Sequence, residues 1–321
     1  MTTLVTGAAG FVGLNLVRGL AARGQPVIAM ARAAPDAATH AFLAPVAEHV
    51  RFTTGDVRDR AGLAELARHE GVRRIVHAAA ITSAEVERAD PAGFVDVNLG
   101  GTLNVLEAAR SIGAERVVLI SSSALYGAPS DPRRRIRETD PLQISGLYTI
   151  CKQAGEQLCR RYRELYGLST VAGRLGTAYG PMERPTGSRQ AMSQVYTLIH
   201  AGLQRRPLRI YGAERLRDVC HIDDVVDAFC ALTLAETLPH DTYNVSAGTA
   251  HSLRAIAMAV QELLPELVWS VVETPEQADL AVLPPSERGP MDLARLQEDL
   301  GVQPRHTLAS GLRAYLAWLG T

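Results

Sequence analysis

Leu4-Val5-Thr6-Gly7-Ala8-Ala9-Gly10-Phe11-Val12-Gly13 is the stretch from which the rest of the chain is read. A short apolar run ends in a glycine turn, and an apolar helical pattern starts straight after it. Gly7 permits the tight turn, Gly10 lets backbone N–H groups approach a pyrophosphate, and Gly13 lets the helix pack on the strand. The spacing is G-x-x-G-x-x-G rather than the G-x-G-x-x-G of ordinary dinucleotide folds. In this strand–turn–helix setting, Gly7, Gly10, Phe11, Val12 and Gly13 are expected to hold a dinucleotide. The bland alternative is a purely structural turn.

Outward from that turn, short apolar runs alternate with amphipathic stretches. Leu4–Thr6, Val27–Met30, Val50–Thr53, Arg74–His77 and Val117–Ser121 read as strands, and Phe11–Arg23, Ala61–His69 and Leu99–Ile112 as helices. Apolar runs without alternation suit strands buried on both faces. Strand–helix alternation argues for an α/β fold, a doubly wound parallel sheet. A further helix is expected over Gly146–Gly167 and a strand over Thr170–Arg174. Beyond that, prolines and glycines punctuate shorter elements. The expected division is a dinucleotide-binding region over 1–176 and a smaller, mainly substrate-binding region over 177–321. Val219–His221 and Tyr243–Val245 are candidates to return to the main sheet.

Composition narrows the function. The chain has 321 residues, 47% hydrophobic and 21% charged, with a formal net charge of −1. That charge creates no broad field for nucleic acid or an anionic membrane. No apolar run approaches the roughly 18 residues of a membrane span. The first strand begins almost at the initiator Met, so no signal peptide is expected. Cys151, Cys159, Cys220 and Cys230 form no C-x-x-C pair. They read as reduced, buried thiols of a cytoplasmic protein, and no metal site is expected.

The end of the second strand reports on the cofactor's ribose. An acid there would bind the 2′-hydroxyl of NAD; the run is Ala29-Met30-Ala31-Arg32, with an arginine that suits a 2′-phosphate. NADP is therefore favoured over NAD, against the bland reading of Arg32 as a surface cation. Asp56 is placed to accept from the adenine amine, or to cap the next helix.

Tyr148 and Lys152 stand at i and i+4, one face of a helix. A phenol ionises near pH 10, and an adjacent ammonium is expected to lower that value into the range of a useful acid–base group. Lys152 is the only lysine among 33 basic residues. Where arginine has taken every other cationic position, this one reads as needing a compact ammonium that a planar guanidinium cannot imitate. Ile120-Ser121-Ser122-Ser123 ends a buried strand, and a hydroxyl at that end of a parallel strand faces the cofactor crevice.

These motifs, taken in order, resemble the extended short-chain dehydrogenase/reductase superfamily, the NAD-dependent epimerase/dehydratase family. The likeness continues through Gly55-Asp56-Val57, His77-Ala78-Ala79-Ala80, Val97-Asn98, Arg174-Leu175, Tyr179-Gly180-Pro181, Arg217-Asp218 and Tyr243-Asn244-Val245. It implies that Tyr148 is the acid–base group, that Lys152 tunes it and holds the nicotinamide ribose, and that Ser122 is the catalytic hydroxyl. It implies that Val57, Ala78, Ala79, Ala80, Asn98 and Leu175 line or support the cofactor site, and that Ser123, Thr177 and Arg217 face substrate. The family's 4,6-dehydratases carry Asp-Glu after the catalytic hydroxyl; Ser123-Ala124 stands here, which argues against dehydration. The family also implies a homodimer packed through the helix near 99–111 and the helix of Tyr148.

The expected activity is hydride movement at a secondary alcohol or ketone of a sugar-like small molecule, by an NAD(P)-dependent epimerase or oxidoreductase. The competing readings are a carbonyl reductase of a non-sugar ketone and a catalytically silent dinucleotide sensor. An intact Ser–Tyr–Lys set argues against the sensor.

Overall fold

The computed structural model describes residues 1–320. Its centre is a seven-stranded sheet made of β1 (Thr2–Thr6), β2 (Val27–Ala31), β3 (Val50–Thr54), β4 (Val72–His77), β5 (Arg116–Ser122), β6 (Thr170–Leu175) and β7 (Thr242–Val245). The order is β7-β6-β5-β4-β1-β2-β3, with every neighbour parallel.

Alternating side chains explain the two-sided burial. Leu4, Ile28, Ile75, Val117 and Leu119 face one core with the helices Gly101–Ser111 and Gly146–Tyr166. Their neighbours Val5, Ala29, Val76, Val118 and Ile120 face the other, with the helices Phe11–Ala21 and Ile222–Leu234. A Cβ on Gly19 would collide with Val226, so that glycine sets how closely the last two helices approach. This is the doubly wound parallel sheet expected from the sequence. The direction of winding reverses between β1 and β4, and the crevice at such a reversal is where open α/β sheets bind ligands.

Of the two segments that were candidates to return to the sheet, only one does. Thr242–Val245 pairs with β6. Val219–His221 instead pairs with Thr177–Tyr179 in a separate two-stranded ladder. A third core, with Tyr179, Val195, Leu198, Ile210, Leu253, Ile256 and Leu312, covers that ladder's side of the molecule, and Val219 is drawn into it. Burial on this core gives the short strand an apolar signal like that of a sheet strand.

Candidate active site

The glycine turn is built as its sequence requires. Gly7 has φ +68, and a Cβ there would lie 2.6 Å from the Ala79 backbone. A Cβ on Gly13 would strike the Gly7 carbonyl, so its absence seats the first helical turn on the loop. Gly10 is the N-cap of the helix Phe11–Ala21 and supplies no side-chain cap. Its first-turn N–H groups are therefore free to meet an anion, with the helix dipole behind them. Gly7 and Gly10 border a cleft of about 290 Å³ that runs past Met30, Arg32, Asp56, Val57, Ala78, Ala79 and Ala80. The cleft, the close backbone approach and the uncapped helix together fit a dinucleotide.

The neighbouring positions fall as follows. Arg32 is exposed at the cleft mouth. The Asp56 carboxylate is gripped by Arg58, through its N–H at 3.0 Å and its Nη2 at 2.7 Å, and this holds it below the usual carboxylate range. Asp59, not Asp56, caps the next helix. Asn98 sits in a single π turn, Asp96–Gly100, and its amide brackets Ile81, accepting from the backbone N–H at 3.0 Å and donating to the carbonyl at 3.1 Å. It fixes the loop after β4 without lining the cleft. Leu175 closes β6 beside Ser122 of β5. Phe11 is buried beneath the Arg189 guanidinium, 5.1 Å from its ring centroid.

One cleft wall was missed in the sequence. Thr186, Gly187 and Ser188 reach back over the dinucleotide side. The Ser188 carbonyl accepts from Thr82 N–H at 2.9 Å, and Arg184 pairs with Asp36 at 2.8 Å. Nothing local in the segment announces a partner more than a hundred residues away.

Ser122, Tyr148 and Lys152 come together at the carboxyl end of β5. Ser122 is a hydrogen-bond partner of the Tyr148 phenol, and its oxygen also accepts from Ala124 N–H at 3.1 Å. Lys152 is 5% exposed and donates from Nζ to the Ile120 carbonyl at 2.7 Å. Its Nζ lies 5.8 Å from the Tyr148 ring centroid. Burial pulls the ammonium down to about 8, against the upward pull of Cys151 and Glu156.

The electrostatics correct one expectation. The phenol was expected to be lowered by Lys152. Burial instead raises Tyr148 above the free value, and the opposing pulls come from Ser122, Arg189 and Arg288. The helix does put Tyr148 and Lys152 on one face, but the lysine's long stem carries its charge down to the sheet.

Behind the catalytic face lies a buried ion pair. Arg174 grips Glu156 through Nε at 3.0 Å and Nη2 at 2.7 Å, and Glu156 also accepts from Ser121 Oγ at 2.5 Å. It ties the Tyr–Lys helix to β5 and β6.

On the substrate side, Arg217 donates to Thr177 Oγ1 at 2.5 Å and to the Ser286 carbonyl. Arg288 donates to the same carbonyl at 3.3 Å. Burial pulls Arg217 down to about 10 and Arg288 to about 9, the two also repelling each other. Both remain charged at neutral pH, and the partners of both are neutral. The Nε atoms of Arg189, Arg217 and Arg288 are buried without a hydrogen-bond partner. Arg189 is paired with Glu183 through Nη2 at 2.5 Å, whereas Arg217 and Arg288 donate only to neutral oxygens, so a bound anion would be favoured at those two. Asp218 anchors the arrangement, accepting from Ser246, Ala247, Gly248 and Met291. Ser123 is buried in the turn after Ser122. Arg288 and Arg189 were missed in the sequence, where the first sits in a proline-rich stretch and the second in the loop over the cleft.

The sequence model of the family described as "NAD dependent epimerase/dehydratase family" matches residues 3–246. UDP-glucose 4-epimerase of Mycolicibacterium smegmatis is 32% identical over 314 residues, covering 97% of this chain and 96% of that protein. dTDP-glucose 4,6-dehydratase of Streptomyces griseus is 32% identical over 327 residues, covering 99% of this chain and 94% of that protein. Among solved structures, Thermus thermophilus UDP-glucose 4-epimerase in complex with NAD superposes with a TM-score of 0.83 at 29% identity, covering 99% of this chain and 98% of that one.

Proposed function

The chain belongs to the NAD-dependent epimerase/dehydratase family, and we propose that it is an epimerase of a nucleoside-diphosphate sugar. It is an enzyme that uses a nicotinamide dinucleotide on a sugar-like substrate. The observation that carries the finer reading is the Arg217–Arg288 pair, charged, half-buried and hydrogen-bonded only to neutral oxygens, with Arg288 beside Tyr148. A diphosphate supplies the missing negative charge, and binding there brings a sugar hydroxyl toward the phenol. Arg189, paired with Glu183 over the Phe11 ring, also acts on Tyr148.

The dinucleotide, when bound, accepts and returns hydride; the chain's own residues supply position and proton handling. In this reading Gly7, Gly10, Phe11, Val12 and Gly13 hold the pyrophosphate, and Asp56, Val57, Ala78, Ala79, Ala80 and Leu175 line the rest of the cofactor's path, with Asn98 behind them. Tyr148, as the phenolate that Arg189 and Arg288 favour against its burial, takes the proton from the sugar hydroxyl as it becomes a ketone and, as the phenol, gives it back on the return. Ser122 donates to the same oxygen. Lys152 holds the nicotinamide ribose. Ser123 and Thr177 orient the sugar. Ser123 and Ala124 offer no carboxyl for eliminating water, which favours epimerisation over the dehydration named for some relatives. The region from residue 177 onward is read as the substrate-binding part.

Cofactor choice is read from the end of β2. Arg32 at the cleft mouth and the absence of an acid on Ala29-Met30-Ala31 support NADP; NAD in the Thermus thermophilus epimerase weighs toward NAD. We also propose a homodimer, supported by Leu103 and Ile150, exposed on the helices Gly101–Ser111 and Gly146–Tyr166.

The test is product analysis with UDP-glucose, UDP-glucuronate and dTDP-glucose. The expected outcome is a C4 epimer from one of them with no net consumption of dinucleotide. A 4-keto-6-deoxy product would replace this reading with dehydration, and stoichiometric oxidation of dinucleotide would replace it with net reduction.

A further inference from the structure

Away from the glycine cleft and the Ser122–Tyr148–Lys152 set, three donor atoms face one another. His221 Nδ1 lies 3.6 Å from Asp223 Oδ2, and His306 Nε2 lies 3.8 Å from the same oxygen. One ligand atom from each residue falls within 4.8 Å of the other two, and the imidazole centroids are 4.3 Å apart. These gaps are too long for hydrogen bonds. The two gaps to Asp223 are a few tenths of an ångström wider than the roughly 3.4 Å between ligands placed about 2.0–2.1 Å from a tetrahedral Zn²⁺.

The ligand atoms are held by separate parts of the fold. His221 is 2% exposed and lies edge-on to Tyr179, with ring centroids 5.5 Å apart. The Asp223 N–H donates to His221 Nδ1 at 3.3 Å, so the ring proton belongs on Nε2; this long contact holds the ring's one in-plane lone pair on the cluster side, and a bound ion would take its place. Nε2 is buried without a partner, which leaves Nδ1 as the ring's polar contact. The turn carrying His306 is fixed independently: the Asp224 carboxylate accepts from the N–H of Arg305 at 2.8 Å and of His306 at 3.2 Å.

Charge points the same way. The nearby cations Arg23 and Arg305 both pair with Asp227, each at 2.6 Å. Asp224 is occupied by backbone N–H groups. Among the described residues, the Asp223 carboxylate meets only the two imidazoles, at distances beyond hydrogen bonding. A half-exposed carboxylate faces two imidazole nitrogens, an arrangement that a divalent cation would hold together.

We propose that His221, Asp223 and His306 bind a divalent transition-metal ion, with Zn²⁺ the best match to two imidazoles and one carboxylate and water completing its coordination. The sequence reading had expected no metal. The ion's place in the fold gives it a structural task. His221 caps the helix Ile222–Leu234, packed under the main sheet, while His306 directly precedes the helix Leu308–Leu319, packed in the third core. A shared ion cross-links the two.

The experiment uses the full chain after chelator treatment, titrated with Zn²⁺ against a chromophoric competitor, with thermal unfolding followed in parallel. One equivalent of Zn²⁺ is expected to bind with a raised unfolding midpoint, and Co²⁺ in its place should give a visible d–d band. His306→Ala should lose the tight equivalent, the midpoint shift and the Co²⁺ band while keeping its epimerase rate. Asp223→Asn provides a second variant should the first not fold. A parent protein that takes up no more Zn²⁺ than these variants, or a variant that binds as tightly as the parent, would overturn the proposal. The readout is metal binding, so it is independent of whether the epimerase reading holds.

Discussion

On the dinucleotide side of the active site, Gly7, Gly10 and Gly13 act through what they lack. A Cβ on Gly7 or Gly13 would collide with backbone, and uncapped Gly10 leaves the helix start open. On the proposed substrate side, Arg217 and Arg288 carry charge that their neutral hydrogen-bond partners do not neutralise, and Arg189, paired with Glu183, stands near them at Tyr148. The glycine turn that opens the first surface is made within ten consecutive residues. The second is assembled from three segments scattered over a hundred residues of chain and held by Asp218 and the Ser286 carbonyl. A backbone surface can recognise the part common to all dinucleotides; a side-chain surface can change its substrate by changing one arginine. Tyr148 and Lys152 sit at the seam, and variants on either side separate the two contributions.

The largest effect is expected at the seam. Tyr148→Phe should bind dinucleotide nearly as the parent does yet lose turnover by roughly 10²- to 10⁴-fold, the range for a positioned acid–base group. Lys152→Arg should also be severely impaired, because a planar guanidinium cannot occupy the compact site over the Ile120 carbonyl. Since burial pulls Lys152 down to about 8, its charge is present below that pH and lost above it. Dinucleotide affinity in the parent should therefore fall as pH rises through about 8, a trend that fluorescence titration of the bound reduced cofactor would follow. Near-parent rates in both variants would remove Tyr148 and Lys152 from the chemistry.

A smaller effect is expected from the substrate side alone. Arg288→Ala and Arg217→Ala each remove a charge-assisted contact worth about 1.5–3 kcal/mol, roughly 10- to 100-fold in affinity. Steady-state kinetics should place that loss in KM for the nucleotide sugar, with dinucleotide affinity unchanged. Equal loss of dinucleotide binding would show that the two surfaces are one.

The same contrast explains what could be read from the chain. The glycine turn, the strands before it and after it, and the Tyr148–Lys152 spacing are local patterns, so their positions were legible. Asn98 was legible through its family motif, although the π turn that aims it was not. The lid-like approach of Thr186–Ser188 and the meeting of Arg217 with Arg288 depend on chain folding over long separations, and no local periodicity records them. Val219–His221 misled for a related reason: burial against the third core gives a short strand the same apolar look as burial in the main sheet. The direction of the Tyr148 shift was misread because sequence spacing places two side chains on one helix face but says nothing of where a lysine stem ends or how much water is excluded.

The smallest predicted effect tests whether the dinucleotide side is backbone-made throughout. Arg32 is the cationic side chain at the mouth of this cleft, whose other lining includes glycine, alanine and the side chains of Met30, Asp56, Val57, Thr186 and Ser188. It is exposed, so water and salt screen its charge, and its contribution should be on the order of 1 kcal/mol, several-fold in affinity. If it meets a 2′-phosphate, Arg32→Ala should weaken NADP by that factor and leave NAD unchanged, and the NADP difference should shrink as ionic strength rises. Competitive titration of both dinucleotides into parent and variant at low and high salt measures this directly. Equal effects on both would assign Arg32 to the surface and leave the backbone, which touches only what NAD and NADP share, as the whole of the recognition; the parent would then follow the NAD found in the Thermus thermophilus epimerase.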